Sequence, residues 1–403
     1  MRIVFFSNFL NHHQLPLCNE LIKKENIKFT FIATEPIPQS RLDMNYEDMN
    51  KKYSFVLCTY ESSKNVQIAL RLGEEADVVI IGAAPLFYIE NRLKNKNKLT
   101  FRFCERSFKK GLWRRFIPKI RKKIIDEYIQ YKDYRFYVLG ASAFASSDLV
   151  KCGFPQEKCY CWGYFPEIKR YSDIKKILKL KHPASILWVA RFIEWKHPEI
   201  PIFVAKHLKE EGYSFKLNLV GNGKLEGKLK QMIEEYHLQD FVCLCGSMNP
   251  NEVREYMEKS KIFLFTSDYN EGWGAVLNEA MNSACAVIAS HAIGSVPFLI
   301  KNKKNGLIYQ NGKIEDLYKN VKLLLENPRL CDLYGEEAYK TMLQEWNAKV
   351  AVERFLKLSE YLINDNNYNL YLNGPCSIAP IYKNGWYRKE NQGDRIGEWN
   401  KKI

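Results

Sequence analysis

Short apolar runs bounded by turn residues recur along this chain, and stretches with helical spacing separate them. RIVFFSNF (2–9), IKFTFIAT (27–34), DVVIIGAA (77–84) and LTFRFCE (99–105) read as strands. QLPLCNELIKK (14–24) and VQIALRLGEEA (66–76) place apolar residues at helical intervals. YRFYVLGASAFASSDLVKCG (134–153) reads as strand, turn and helix, and KCYCWGYFP (158–166) closes this half. Such alternation implies parallel sheets with helices on both faces.

The alternation pauses at YFPEIKRYSDIKKILKLKHP (164–183), which is basic and lacks an apolar period. This marks 166–183 as a linker between a first domain, 1–165, and a second, 184–345. The second half repeats the pattern to about Tyr309. Helical spacing follows at 314–328, 336–346 and 348–363. A tail without period, rich in Asn, Gly and Tyr, covers 364–403; its aromatics suggest docking on the body. The chain of 403 residues is long enough for two cores.

No apolar run is long enough for a membrane-spanning helix. The N-terminal run meets His12 and His13 and lacks a small-residue cleavage site, so it reads as a first strand rather than a signal peptide. The 11 cysteines are scattered, with C-x-C at Cys159/Cys161 and Cys243/Cys245. Strand alternation explains these spacings better than zinc, and the free thiols point to a reducing, cytoplasmic setting.

The segment TSDYNEGWGAVLNEAMNSACAVIAS (266–290) carries the most chemistry. The strand KIFLFTS (261–267) leads in, and the helical stretch AVLNEAMNSA (275–284) leads out. Between them, Gly272, Trp273 and Gly274 form a turn whose N–H groups sit at a helix start, a site suited to an anion. Glu271 precedes the turn, and Glu279 falls about one and a half turns into the helix. In a fully helical segment the two carboxylates would stand roughly 12 Å apart along the axis. That separation suits a ligand with hydroxyls at both ends and phosphate between.

This arrangement resembles the E-x7-E signature of the retaining, family-4-type glycosyltransferases of bacterial surface-polysaccharide type. SILWVARFIEWKHPE (185–199), LNLVGNGKLEGKLK (217–230), VCLCGSMNPNEVREYM (242–257) and GSVPFLIKNKKNGLIY (294–309) resemble further segments of the same family. The likeness covers 184–360 well and 1–165 loosely. It implies the GT-B fold: two Rossmann-like, doubly wound parallel-sheet domains facing a central cleft, with the helix 346–363 crossing back to the first. It also implies a metal-independent hexosyltransferase that needs no cofactor. The donor would be a nucleotide-diphosphate sugar, UDP or GDP, and the acceptor a glycan or lipid-linked hydroxyl.

On this resemblance Arg191 and Lys196 bind the donor diphosphate and stabilise the charge that develops on it. Glu279 accepts hydrogen bonds from the ribose hydroxyls. Glu271 faces the donor sugar, positioning it or stabilising an oxocarbenium-like state. Gly221 and Gly223 admit the nucleoside, and Gly246 and Ser247 lie where the family contacts the base. Ser295 and Phe298 depart from the family's usual Gly and Glu, and stay outside the expected site. The first domain departs further: SNFLNHHQ (7–14) has no glycine, so Asn11, His12 and His13 are the acceptor-side candidates, helix capping being the alternative for the histidines. Glu105, at a strand end, is the fourth. No metal site is expected.

The net charge of +15 is concentrated in FRFCERSFKKGLWRRFIPKIRKKI (101–124), where ten cations face one acid. Interleaved Trp113, Phe116, Ile117 and Ile120 make this a candidate for an anionic membrane surface, placing the protein on the inner face of the cytoplasmic membrane. A solvated basic face and a nucleic-acid site are the alternatives; no nucleic-acid motif accompanies the charge. The competing functions are another GT-B chemistry, such as nucleotide-sugar epimerisation or phosphorolysis, and a non-catalytic basic binding module. The latter has no need of Arg191, Lys196, Glu271 and Glu279 together.

Overall fold

The computed structural model describes residues 1–42, 47–364 and 371–387. The chain forms two units. One comprises Met1–Ile168 and Leu343–Tyr382; the other comprises Lys169–Met342 and the described residues from Lys383.

The first unit is built on seven parallel strands: β1 (Arg2–Ser7), β2 (Lys28–Ala33), β3 (Val56–Cys58), β4 (Val78–Ile81), β5 (Leu99–Cys104), β6 (Phe136–Gly140) and β7 (Cys159–Cys161). Their order is β3-β2-β1-β4-β5-β6-β7. Ile3–Phe6 and Val78–Ile81 pair in register at its centre and are buried on both faces, which is why both read as unbroken apolar runs. The helix Ala348–Ile363 packs on this sheet, with the Phe355 ring 5.1 Å from Phe101 and 5.8 Å from Trp162. Backbone bonds from Cys376 to Cys161 and from Ala379 to Cys159, both 2.8 Å, lay the tail along the edge of β7. An edge strand is thereby shielded from pairing with another chain. The rest of the expected tail, 365–370 and 388–403, lies outside the described residues.

The second unit holds six parallel strands: β8 (His182–Val189), β9 (Lys216–Val220), β10 (Val242–Leu244), β11 (Ser260–Phe265), β12 (Ala286–Ser290) and β13 (Leu307–Tyr309). The order β10-β9-β8-β11-β12-β13 repeats the doubly wound plan. In both sheets the order reverses beside the first strand of the unit, so the loops leaving that strand and its later-formed neighbour open side by side.

Two local readings differ from the observed elements. The stretch expected as linker contains the helix Ile174–Leu180, capped by the Asp173 side chain, which accepts from the Lys175 N–H at 2.9 Å. Its lysines hide the pattern, because Leu178 is its only buried side chain. The helix read over 336–346 instead spans Pro328–Gln344: Pro328 opens it, its missing N–H being one that a first helical turn leaves unbonded anyway.

Candidate active site

The carboxyl ends of β8 and β11 adjoin where the strand order reverses, the place at which open α/β sheets bind ligands. Four loops meet there. Gly221 donates to Gly246 O at 2.7 Å, and Phe192 donates to Asn222 O at 2.7 Å, so the loops after β8, β9 and β10 are tied together. Gly221 (φ +144°) and Gly223 (φ +150°) are required: a Cβ at the first would lie 1.9 Å from Ala190 O, and at the second 2.5 Å from Phe192 O. Ser247 and Gly246 are exposed at the rim.

Lys196 and Glu271 are brought together. The ammonium Nζ donates to Glu271 Oε2, and the Ser267 hydroxyl donates to the same oxygen at 3.0 Å. Lys196 also lies over the Trp195 ring at 4.4 Å and 5.9 Å from the Phe265 ring centre, so aromatic faces and a carboxylate hold it. Three further bonds lock its loop to the one after β11: Thr266 Oγ1 donates to Lys196 O at 2.7 Å, Asp268 N–H to Trp195 O at 3.1 Å, and His197 bridges the two. The His197 ring stands 2.9 Å from Glu199 and 3.5 Å from Asp268. Hydrogen bonds to Asp268 and Glu199 push its pKa up to about 9. His197 has φ +54°, a left-handed conformation that glycine adopts more readily. Ser267, His197 and Asp268 carry no local pattern that marks them in the sequence.

The helix after the turn spans Val276–Asn282, so Glu279 stands in its first turn rather than one and a half turns in. Glu271 lies outside the helix altogether, and the fully helical spacing does not apply. The Glu279 carboxyl is half-buried, and burial raises its pKa to about 7 against the pull of Arg254. Arg254, from the helix Pro250–Lys259, donates to Glu279 O (3.2 Å), Asn282 Oδ1 (2.9 Å) and Ser283 Oγ (3.2 Å), fixing that short helix. Its role was not legible in the sequence, because it acts across 25 to 29 residues on one backbone carbonyl and two side-chain oxygens. The Trp273 side chain turns inward: it is 1% exposed, and its Nε1–H donates to Asn278 Oδ1 at 2.9 Å. Only its backbone remains for a ligand. Gly274 (φ +81°) leaves the Phe265 ring space that a Cβ would take at 2.3 Å. Arg191 is exposed and has no ion-pair partner among the described residues.

The acceptor-side candidates lie in the first unit. Asn11 and Glu105 line a cavity of about 660 Å³ at the carboxyl ends of β1, β4 and β5. Asn11, not a histidine, caps the following turn: its Oδ1 accepts from the N–H groups of His13 (3.0 Å) and Gln14 (3.1 Å). The His12 and His13 ring centres lie 3.7 Å apart, with the ring planes tilted by 50°. Glu105 accepts from the Tyr164 hydroxyl at 3.0 Å and pairs with Lys109 at 2.7 Å.

The basic stretch divides. Arg106 is buried and pairs with Asp148 at 3.3 Å, and Arg102 pairs with Glu127 at 3.2 Å, so these two cations serve the interior of the unit rather than its surface. Trp113 and Phe116 are 63% and 69% exposed, beside Arg114, Arg115 and the basic helix Pro118–Glu127. Among the described residues, no helix is long and apolar enough to cross a membrane.

Residues 170–341 match the family described as glycosyl transferases group 1. The amylovoran biosynthesis glycosyltransferase AmsK of Erwinia amylovora is 30% identical over 208 residues, 49% of this chain and 50% of AmsK. The N-acetylgalactosamine-N,N'-diacetylbacillosaminyl-diphospho-undecaprenol 4-alpha-N-acetylgalactosaminyltransferase of Campylobacter jejuni is 29% identical over 169 residues, 42% of this chain and 44% of the relative. The chain thus spans about half the length of the curated relatives it matches. Among solved structures, Anabaena HepE in complex with UDP superposes with a TM-score of 0.62 at 15% identity, over 89% of this chain and 99% of HepE. A glycosyltransferase from Rickettsia africae gives 0.63 at 16% identity, over 90% and 99%. These likenesses establish the two-unit GT-B fold.

Proposed function

We propose that this chain, whose residues 170–341 form a group 1 glycosyl transferase domain, moves a sugar from a nucleotide-diphosphate donor to a glycan or lipid-linked hydroxyl in surface-polysaccharide synthesis. The observation that carries this reading is the Lys196–Glu271 pair at the strand edge, with Glu279 on the next helix.

The chemistry follows from the charges. When the bond from the anomeric carbon to the diphosphate breaks, negative charge grows on the leaving oxygens. Arg191 and Lys196 supply positive charge there, a stabilisation realised chiefly in the transition state. Glu271 holds the ammonium in place beforehand and, once the diphosphate draws Lys196 away, is left to meet the positive charge developing on the sugar. Glu279, as a carboxylate, accepts from the two ribose hydroxyls. The expected outcome is retention of anomeric configuration without a metal ion, with UDP or GDP as the nucleotide.

The exposed Trp113 and Phe116, among cations, give a shallow membrane anchor on the first unit, suited to an acceptor diffusing in an anionic leaflet. Incubation with radiolabelled UDP-, GDP- and ADP-sugars, scoring sugar release and transfer, tests the reading. No turnover of any of the three would overturn it.

A further inference from the structure

The cavity of the first unit has more positive charge than a neutral hydroxyl acceptor needs. Four cations line it, Arg102, Arg106, Arg114 and Lys123, against two carboxylates, Glu105 and Glu127. Both carboxylates are already engaged. Glu127 is held by Arg102 at 3.2 Å and Lys123 at 3.6 Å, and Glu105 by Lys109 and Tyr164. Arg106 is matched by Asp148. Arg114 is half-buried and has no carboxylate partner among the described residues.

One polar group of the lining points the same way. The Arg102 Nε–H, a donor, is buried without a hydrogen-bond partner. A buried donor left unbonded costs more than a typical hydrogen bond returns, so such groups in a lined cavity favour a ligand or water that meets them. The cavity lies at the carboxyl ends of β1, β4 and β5, beside the strand-order reversal, and at about 660 Å³ it has the size of a small-molecule site.

We propose that this cavity is an anion subsite that holds a phosphate or diphosphate group carried by the acceptor, with Arg114 as its free cation and Lys123 and Arg102 as flanking charge. Guanidinium and ammonium groups bind phosphate oxygens through charge-assisted hydrogen bonds, and once Lys109 and Asp148, the partners of Glu105 and Arg106, are counted, the excess of two positive charges matches a dianion. The remaining volume admits the first unit of whatever bears the phosphate. The assignment of this anion to the acceptor rests on the transfer reaction proposed above; the binding itself does not.

The test is calorimetric titration of the full chain with inorganic pyrophosphate and, separately, with farnesyl diphosphate. Wild type, Arg191→Ala and Arg114→Ala/Lys123→Ala are compared. Lys123 is 69% exposed and Arg114 makes no ion pair among the described residues, so the double variant should fold. It should weaken pyrophosphate binding at one site at least about tenfold, while Arg191→Ala keeps that site. Arg114→Lys/Lys123→Arg, which keeps the charge, should restore binding. Tighter binding of farnesyl diphosphate than pyrophosphate would place the phosphate on a lipid; equal binding would place it on a soluble glycan, and both support the subsite. An Arg114→Ala/Lys123→Ala isotherm indistinguishable from wild type would overturn it. Donor-sugar hydrolysis in the same variants separates the two ideas: its absence in wild type removes the transfer reaction and leaves the anion subsite standing.

Discussion

Lys196 and Glu271, 75 residues apart in sequence, form an ion pair whose side chains are only 12% and 9% exposed. A pair so enclosed couples stability to catalysis, because either charge left alone is buried without compensation. Lys196→Ala should therefore lower thermal stability by about 3 kcal/mol. Lys196→Ala/Glu271→Ala should lose less than the sum of the single variants. Melting curves of the four proteins close the cycle; additive losses would mean that the pair contributes nothing as a pair.

Arg191→Ala and Lys196→Ala should each cut turnover by roughly 10²–10³, the scale for removing one transition-state donor. Arg191 is the cleaner probe, since its exposed guanidinium carries no ion pair among the described residues. Steady-state kinetics with the active donor sugar decide this, and near-normal turnover in both would remove the diphosphate assignment.

Glu279 should give nucleotide binding a pH dependence. Burial raises its pKa to about 7, and the form that accepts from ribose hydroxyls is the carboxylate. Affinity for the nucleoside diphosphate should be highest above pH 7 and fall as the group protonates below it. Glu279→Gln should flatten the profile at the weak level, whereas Glu271→Gln should mainly slow transfer. Calorimetry from pH 6 to 8.5 would contradict this division if both variants lost affinity equally.

His197 makes the opposite contribution. Its pKa is about 9 in the folded chain against 6.5 when free of partners, so its stabilisation is fully present below pH 6.5 and is lost as pH rises through 9. Thermal stability should fall between pH 7 and 10. His197→Gly suits the left-handed backbone and removes only the imidazole, so it should abolish most of that pH-dependent fall and slow turnover by loosening Lys196. An unchanged pH profile in His197→Gly would assign the alkaline loss elsewhere.

The exposed Trp113 and Phe116 should make binding to anionic vesicles sensitive both to salt and to Trp113→Ser/Phe116→Ser. Each basic contact contributes about 1 kcal/mol near such a surface. Co-sedimentation at low and high salt measures both effects, and indifference to anionic lipid at low salt would leave the patch a solvated face.

By itself the sequence determined the parallel α/β plan, the strands β1, β4 and β11, and the glycine turn that follows β11. Strands buried on both faces must be unbroken apolar runs, and their ends must carry the polar groups, so this information is local. The helix Ile174–Leu180 and the opening of Pro328–Gln344 escaped, because one buried leucine and one proline carry too little pattern. Tertiary structure decided which residues meet. The pairing of β8 with β11, Ile186 opposite Ile262, sets the Lys196 loop beside the Glu271 loop. Packing likewise drew Arg106 onto Asp148, Trp273 into the interior and Arg254 onto the Glu279 carbonyl and the Asn282 and Ser283 side chains. Strand order and register are non-local, fixed by burial of whole faces. A residue's spacing reveals where its loop begins, and only the assembled sheet reveals what that loop touches.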